Sequence, residues 1–366
     1  VEAVPSGIVR ALWVGVVSGV LIACSGASPP AGADAAGGGD AAGADAAVDD
    51  VAPAADVAPD RVRVVPTEWP REPPPWPAYS RGSCPVLRGG PTAAAGHNTA
   101  FPSGAHTRGF RLIVPDNYDP NGTDRWPLLV AWHWLAGDSA QIVREGEIER
   151  AAARHRFIAV APDQLVVDGA QVNPFTWPFL ASSDRAPELT FTDDLLACVA
   201  AQYRIDPTRV HGMGVSAGAL WLTSLMNEPR ARHFASVAIL SGGLGQVSGT
   251  LRMQFTPQPN RYPAIVLWGG ATDRLIVDFH AASQRLEEAL LDHGHFVVRC
   301  VHDRGHSLPP LPPPPPDDSR FAFVWDFFRA HPYGLAPATS PYLDGGLPAT
   351  APAFCGIPAV LRGDGG

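Results

Sequence analysis

The stretch Val210-His211-Gly212-Met213-Gly214-Val215-Ser216-Ala217-Gly218-Ala219-Leu220 decides how the rest of the chain reads. Residues 210–215 are expected to form a strand, and residues 217–227 a buried helix behind it. Ser216 stands between them, with Gly214 and Gly218 on either side. A strand that turns at once into a helix strains the residue at the bend and presses the two backbones together. Side chains at the flanking positions would clash, which accounts for both glycines. Such a bend lifts a serine hydroxyl above the sheet edge, where it can serve as a nucleophile. Asp206-Pro207-Thr208-Arg209 reads as the turn into the strand. The G-x-S-x-G pattern also arises by chance in a chain with 37 glycines, so the bland alternative is an ordinary turn serine. The strand before and the helix after favour the nucleophile.

From residue 97 onward, apolar runs alternate with helical patterns. Residues 108–115, 127–132, 157–162, 236–241, 264–268 and 295–301 are expected strands. Several are apolar throughout, as in strands buried on both faces. Residues 139–156, 192–203, 278–293 and 321–330 are expected helices, with Gly294 suited to the position just past the third. This order predicts an α/β fold: a mostly parallel sheet with helices on both faces. No internal repeat is visible, and the proline run 309–316 is expected as a stiff surface excursion.

A chain of 366 residues allows one large α/β domain or two. All 27 basic residues are arginine, a compositional bias that makes single arginines weak evidence. The net charge of −9 lies largely in Asp34, Asp40, Asp45, Asp49, Asp50, Asp56 and Asp60. The remainder is nearly neutral, which argues against a nucleic-acid partner. None of the five cysteines has C-x-x-C spacing, so no zinc or thioredoxin-like site is expected. Cys84 and Cys355 flank the core region and are expected to staple its two ends. Cys198 and Cys300 are expected either to pair or to sit as small buried hydrophobes.

Residues 1–24 read as an export signal. Arg10 precedes an uncharged apolar run, 11–22, too short for a comfortable membrane span. Leu21-Ile22-Ala23-Cys24 resembles the lipobox of bacterial lipoproteins, which implies lipidation of Cys24 and a membrane anchor. Ser25 in the next position implies the outer membrane or cell surface. Residues 25–65 are Ala, Asp, Gly and Pro, too poor in large apolar side chains to offset ordering entropy, and are expected to be a solvated tether. A proline-rich irregular segment (66–95), the main domain (96–333) and an irregular tail (334–366) follow.

A serine hydroxyl is a poor nucleophile unless a base, an acid that orients the base, and oxyanion donors surround it. In an elbow fold the acid and base follow the serine in chain order, at the ends of later strands. After strand 264–268 the loop carries Asp273, several residues past the strand end. Asp278 is the rival, but its place at the start of a helix suits a cap. After strand 295–301 the loop carries His306, preferred over His302, which is too close to the strand. The oxyanion donors are expected to be the amides of Ala217 and of Leu135, with Trp134 as alternative.

The region from about His97 to His331 resembles the extracellular esterases grouped with polyhydroxybutyrate depolymerases, type-C feruloyl esterases and acetylxylan esterases. The resemblance rests on R-x-F-R-L-I-V-P-D-N-Y, the histidine loop at His133, D-P-T-R-V-H-G-M-G-V-S-A-G and R-H-F-A-S-V-A-I-L-S-G. It continues in G-x-x-D, G-H-S-L-P and W-D-F-F-R-A-H. It implies an α/β-hydrolase fold without metal or organic cofactor, with Ser216 as nucleophile, Asp273 as acid and His306 as base. Two departures bear on substrate. His133 is followed by Trp134 where the family has glycine, and Arg304-Gly305-His306-Ser307-Leu308-Pro309 replaces G-G-H-x-W-P. Trp177, on a connection that the family places near the active site, and Trp134 are expected substrate contacts.

The expected function is therefore an exported serine esterase acting on a polyester or on feruloyl or acetyl esters of plant polysaccharide. The rivals are a peptidase of the same fold and a surface binding protein without turnover.

Overall fold

The computed structural model describes residues 68–245, 251–336 and 339–359, all within the compact unit Val64–Gly366. The signal, Cys24 and the whole of the tether lie outside the described residues.

The elements run β1 (His97–Ser103), β2 (His106–Ile113), β3 (Trp126–Trp132), α1 (Ser139–Glu145), α2 (Ile148–His155) and β4 (Ile158–Pro162). A small hairpin follows, β5 (Val166–Val167) and β6 (Ala170–Gln171), then α3 (Ala186–Gln202), β7 (Ile205–Val215) and α4 (Ala217–Met226). The chain continues through β8 (Ser236–Leu240), β9 (Ala264–Trp268), α5 (Phe279–Asp292) and β10 (Val297–Val301). It ends with α6 (Ala322–Ala330), α7 (Pro341–Gly345) and β11 (Cys355–Gly356).

Nine strands form one sheet in the order β1-β2-β4-β3-β7-β8-β9-β10-β11. The six central strands, β4 to β10 in that order, are parallel. Their carboxyl ends therefore all open on one edge. β1, β2 and β11 are antiparallel additions at the two sides. The central strands alternate between two cores: Leu128, Val130 and Trp132 of β3 pack with α3, α4 and α5, while Leu129 and Ala131 pack with α1, α2 and α6. That two-sided burial explains their continuous apolar runs.

Where one helix was expected over 139–156 there are two. Gly146 caps the first, with no room for a Cβ beside the Ile142 carbonyl oxygen (2.8 Å), and Glu147 takes φ 50°. β1 escaped the sequence reading because H-N-T-A-F-P-S contains a proline and polar residues typical of turns.

The disulfides correct the expected pairing. Cys84 bonds Cys198 and Cys300 bonds Cys355. The cause lies in α3, whose residues Asp194, Cys198 and Gln202 are spaced four apart and share one face. Asp194 accepts from the Ser80 amide and hydroxyl, and Gln202 accepts from the Leu87 amide. The segment 80–87 is thus laid along α3 with Cys84 over Cys198. At the other side, Cys300 and Cys355 are direct partners in the β10–β11 ladder.

One buried ion pair fixes β2 to α3. The Arg108 guanidinium meets Glu188 at 2.7 Å, with the two side chains 1% and 2% exposed, and lies 4.0 Å over the Phe191 ring. Burial pushes the Glu188 carboxyl up, opposed by the Arg108 charge and hydrogen bonds. Removing one partner leaves the other charge stranded in an apolar core. Glu188→Gln is accordingly expected to destabilise the protein by about 3 kcal/mol in urea unfolding; a change below about 0.5 kcal/mol would show the pair to be dispensable.

Candidate active site

The carboxyl ends of β7, β8, β9 and β10 build the site. At the end of β7, Ser216 takes φ 54° and ψ −117°, a strained conformation for a residue with a side chain. Its neighbours make the bend possible. A Cβ on Gly214 would stand 2.5 Å from the Gly218 carbonyl oxygen, and one on Gly218 would stand 2.3 Å from the Trp132 carbonyl oxygen. The Ser216 amide donates to the Leu240 carbonyl at 2.8 Å, so the β7–β8 ladder holds the residue at the bend.

From this position the Ser216 hydroxyl lies 2.8 Å from Nε2 of His306, and Nδ1–H of His306 donates to Oδ1 of Asp273 at 2.6 Å. Asp273 is wholly buried, and the His306 side chain is 12% exposed. The Phe279 ring stacks on His306 at 4.3 Å and 20°, limiting the imidazole to one plane. Three side chains from three separate loops therefore form one hydrogen-bonded chain. Asp278 lies outside it; its carboxylate accepts from the Ala281 amide and caps α5.

The second carboxylate oxygen of Asp273 has its own partners. The Ser241 hydroxyl and the Gly269 amide each donate to Oδ2 at 2.8 Å. Burial alone would push the Asp273 carboxyl up. The hydrogen bond from His306, the Gly269 amide, the imidazole charge and the Ser241 hydroxyl outweigh it and hold the group below the usual range. Neither Ser241 nor Gly269 was singled out from sequence. The available signal was S-G-G after a strand and G-G after the next, since each follows its strand directly.

The loop after β3 faces the start of α4. Ala217, as the first residue of α4, has no helical carbonyl for its amide. Gly218 packs against the Trp132 and His133 carbonyls, which brings Ala217 beside this loop. Within the loop, the Ala136 amide is taken by the Thr176 hydroxyl, and the Gly137 amide by the Trp134 carbonyl. Leu135 and Trp134 are half-buried at its bend. His133 is fully buried, and burial pushes its imidazole down, so it stays neutral while Nδ1–H donates to the Trp134 carbonyl.

Trp177 corrects its sequence reading. It is 1% exposed, its indole N–H donates to the His133 carbonyl at 2.8 Å, and its ring lies 4.9 Å from the His133 ring. It braces the loop from beneath and offers substrate no surface. His302, the rejected base, is buried under the loop, with Nδ1 accepting from the Arg304 amide. Among the described residues, no group of His, Cys, Asp or Glu converges as a metal site requires, and no helix is long and apolar enough to cross a membrane.

Comparison with known proteins agrees with this architecture. Residues 114–255, which include Ser216, match the family described as esterase PHB depolymerase. Feruloyl esterase D of Neurospora crassa is 28% identical over 173 residues, 47% of this chain and 56% of that protein, so the chain spans little more than half the length of this relative. Native pOPH superimposes with a TM-score of 0.57 at 18% identity, over 77% of this chain and 97% of the other. Native sOPH superimposes with a TM-score of 0.54 at 18% identity, over 76% and 97%. At these identities the two structures speak for the fold alone. The sheet and the elbow at Ser216 are those of an α/β-hydrolase fold, and the sequence matches make the chain similar to the esterases described as PHB depolymerase and feruloyl esterase.

Proposed function

We propose that this protein hydrolyses carboxylic esters through an acyl-enzyme on Ser216. The observation that carries the reading is the continuous hydrogen-bonded chain from the Ser216 hydroxyl through His306 to Asp273, at 2.8 and 2.6 Å. His306 Nε2 takes the hydroxyl proton as Oγ attacks the ester carbonyl. The Asp273 carboxylate holds the ring with Nε2 toward the serine and stabilises the imidazolium that forms. The amides of Ala217 and Leu135 receive the negative oxygen. The Ser216 amide is unsuited to that role because the Leu240 carbonyl already occupies it. The departing alcohol takes the proton from His306. Water, deprotonated by the same nitrogen, then releases the acid and restores the serine.

The substrate class in this reading is a polyhydroxyalkanoate-type polyester or a feruloyl or acetyl ester of plant polysaccharide; the matched family is described as PHB depolymerase and the matched relative as a feruloyl esterase. Two disulfides suit an oxidising compartment and support export. Lipidation at Cys24, giving an outer-membrane or surface anchor, belongs to the same reading. Cys24→Ser would then move the protein from the membrane fraction to the soluble one.

Three outcomes are expected. Ser216→Ala should reduce hydrolysis of p-nitrophenyl acetate, methyl ferulate and a hydroxybutyrate oligomer by on the order of a millionfold, to background; retention of even a tenth of the activity would refute the assignment. Ser241→Ala removes one donor from a buried carboxylate. It should lower kcat about tenfold with little change in KM, and Ser241→Thr should restore part of the loss.

The third outcome concerns pH. Because Asp273 is held below its ordinary pKa, it contributes stability above its unfolded-state value, about 3.9. That contribution is lost as pH falls through the lower folded-state value. The stability gap between the protein and Asp273→Asn should therefore be constant near neutrality and close below about pH 4. A gap that persists unchanged there would contradict it.

A further inference from the structure

Two non-glycine residues with left-handed backbone meet across one hydrogen bond at the loop after β3. Ala136 has φ 58° and Thr176 has φ 72°. Thr176 is wholly buried, and a β-branched side chain is a true outlier in that region. Glycine would hold the same backbone without strain, so the threonine has to be explained by what its side chain does. Its hydroxyl oxygen accepts from the Ala136 amide at 3.2 Å. The next residue, Trp177, gives its indole N–H to the His133 carbonyl at 2.8 Å. Consecutive residues of the excursion after β4 thus hold both ends of the segment 133–136. The turn that carries them is closed by the Thr176 amide on the Asn173 carbonyl (2.9 Å) and the Trp177 amide on the Phe175 carbonyl (2.8 Å).

The consequence falls on the peptides between those ends. A trans peptide is planar, with its N–H and C=O pointing opposite ways. The Trp134 carbonyl is taken twice, by Nδ1–H of His133 at 2.9 Å and by the Gly137 amide at 3.0 Å. The Leu135 amide belongs to the same peptide, so it is directed away from both of those partners. The following peptide carries the Ala136 amide and is held by Thr176. Two successive peptides are therefore fixed, one by its oxygen and one by its nitrogen, with Leu135 between them. Without the threonine hydroxyl, Ala136 would gain by relaxing to a negative φ. That relaxation turns the peptide between Leu135 and Ala136 and re-aims the Leu135 backbone.

We infer that Thr176 is a positioning residue for the oxyanion site: its hydroxyl keeps Ala136 in the strained conformation that aims the Leu135 amide at the ester oxygen. The inference rests on the esterase reading of Ser216, with Leu135 as the second oxyanion donor. It also gives the strain a use, since left-handed conformations of this kind persist only where the surroundings impose them. An amide that stabilises an oxyanion must stand in place before the charge develops, so that no reorganisation accompanies the reaction. A loop free to relax gives up that alignment. The substrate carbonyl in the ground state asks far less of the donor, so loss of the hydroxyl falls on the transition state.

The test compares three variants of the full chain, each checked by thermal unfolding. Thr176→Val keeps the branched shape and the strain but loses the acceptor. Thr176→Gly loses the acceptor and the strain together, and so serves where the valine protein fails to fold. Thr176→Ser keeps the hydroxyl. On p-nitrophenyl acetate, the valine and glycine substitutions should each lower kcat by about tenfold or more, with KM within about twofold. The Ki of a trifluoromethyl ketone, which adds to Ser216 as a tetrahedral oxyanion, should rise by the factor that kcat/KM falls. Thr176→Ser should stay within about threefold of the parent in both measurements. A purely structural role would lower the melting temperature and the fraction of sites that react with a fluorophosphonate, leaving kcat per reactive site and the ketone Ki unchanged. That result would overturn the inference, as would a loss confined to KM, or a serine variant no better than the valine one. The esterase reading fails separately, if Ser216→Ala keeps its activity on the soluble ester.

Discussion

Everything in the site hangs on one close approach, the first turn of α4 against the backbone that ends β3. The carbonyls of Trp132 and His133 lie where a side chain at position 218 would have to be. That contact lets the chain reverse within one residue. It also leaves the strain on Ser216 and brings the start of α4 against the end of β3. A larger residue at 214 or 218 would move the helix outward, and Ser216 and the Ala217 amide would move together. The strain is sustained because the surroundings fix it from both directions: the Leu240 carbonyl holds the serine amide, and α4 is buried along its length.

The same device recurs one strand over. Ser241 leaves β8 with φ 52°, close to the 54° of Ser216, and its amide donates to the Leu267 carbonyl as that of Ser216 donates to Leu240. His302 continues the series with its amide on the Trp268 carbonyl. Each strand thus lends its neighbour one rung beyond its own end. In this way the sheet sets the heights of the serine, of the hydroxyl that holds Asp273, and of the loop that carries His306. Precision comes from the ladder rather than from the loops.

Much of this was legible in the sequence. Parallel strands buried on both faces are written as unbroken apolar runs, and Gly214 and Gly218 announce the bend. Asp273 and His306 could be chosen because each must follow a strand at a short distance. What could not be read has a common physical character: it depends on partners distant in sequence. Ser241 is an ordinary serine until β9 brings Asp273 over it. Arg108 and Glu188 are 80 positions apart, and Arg108 is one of many arginines in a chain without lysine. The cysteine pairing was misjudged because the face of α3 that carries Cys198 is defined by what Asp194 and Gln202 bind. Trp177 reads as a substrate contact and proves to be buried, since nothing in F-T-W-P says which way an indole points.

The Cys300–Cys355 bond closes a covalent ring of chain that contains His306, α6 and the exposed residues 312–317. Those residues are the most accessible part of the ring and carry five prolines in succession. A single cut there opens the backbone but frees nothing. The piece that ends with the base loop stays bound through β10, and the piece beyond the cut stays attached through sulfur. The structure around His306 is in this sense tolerant of one break.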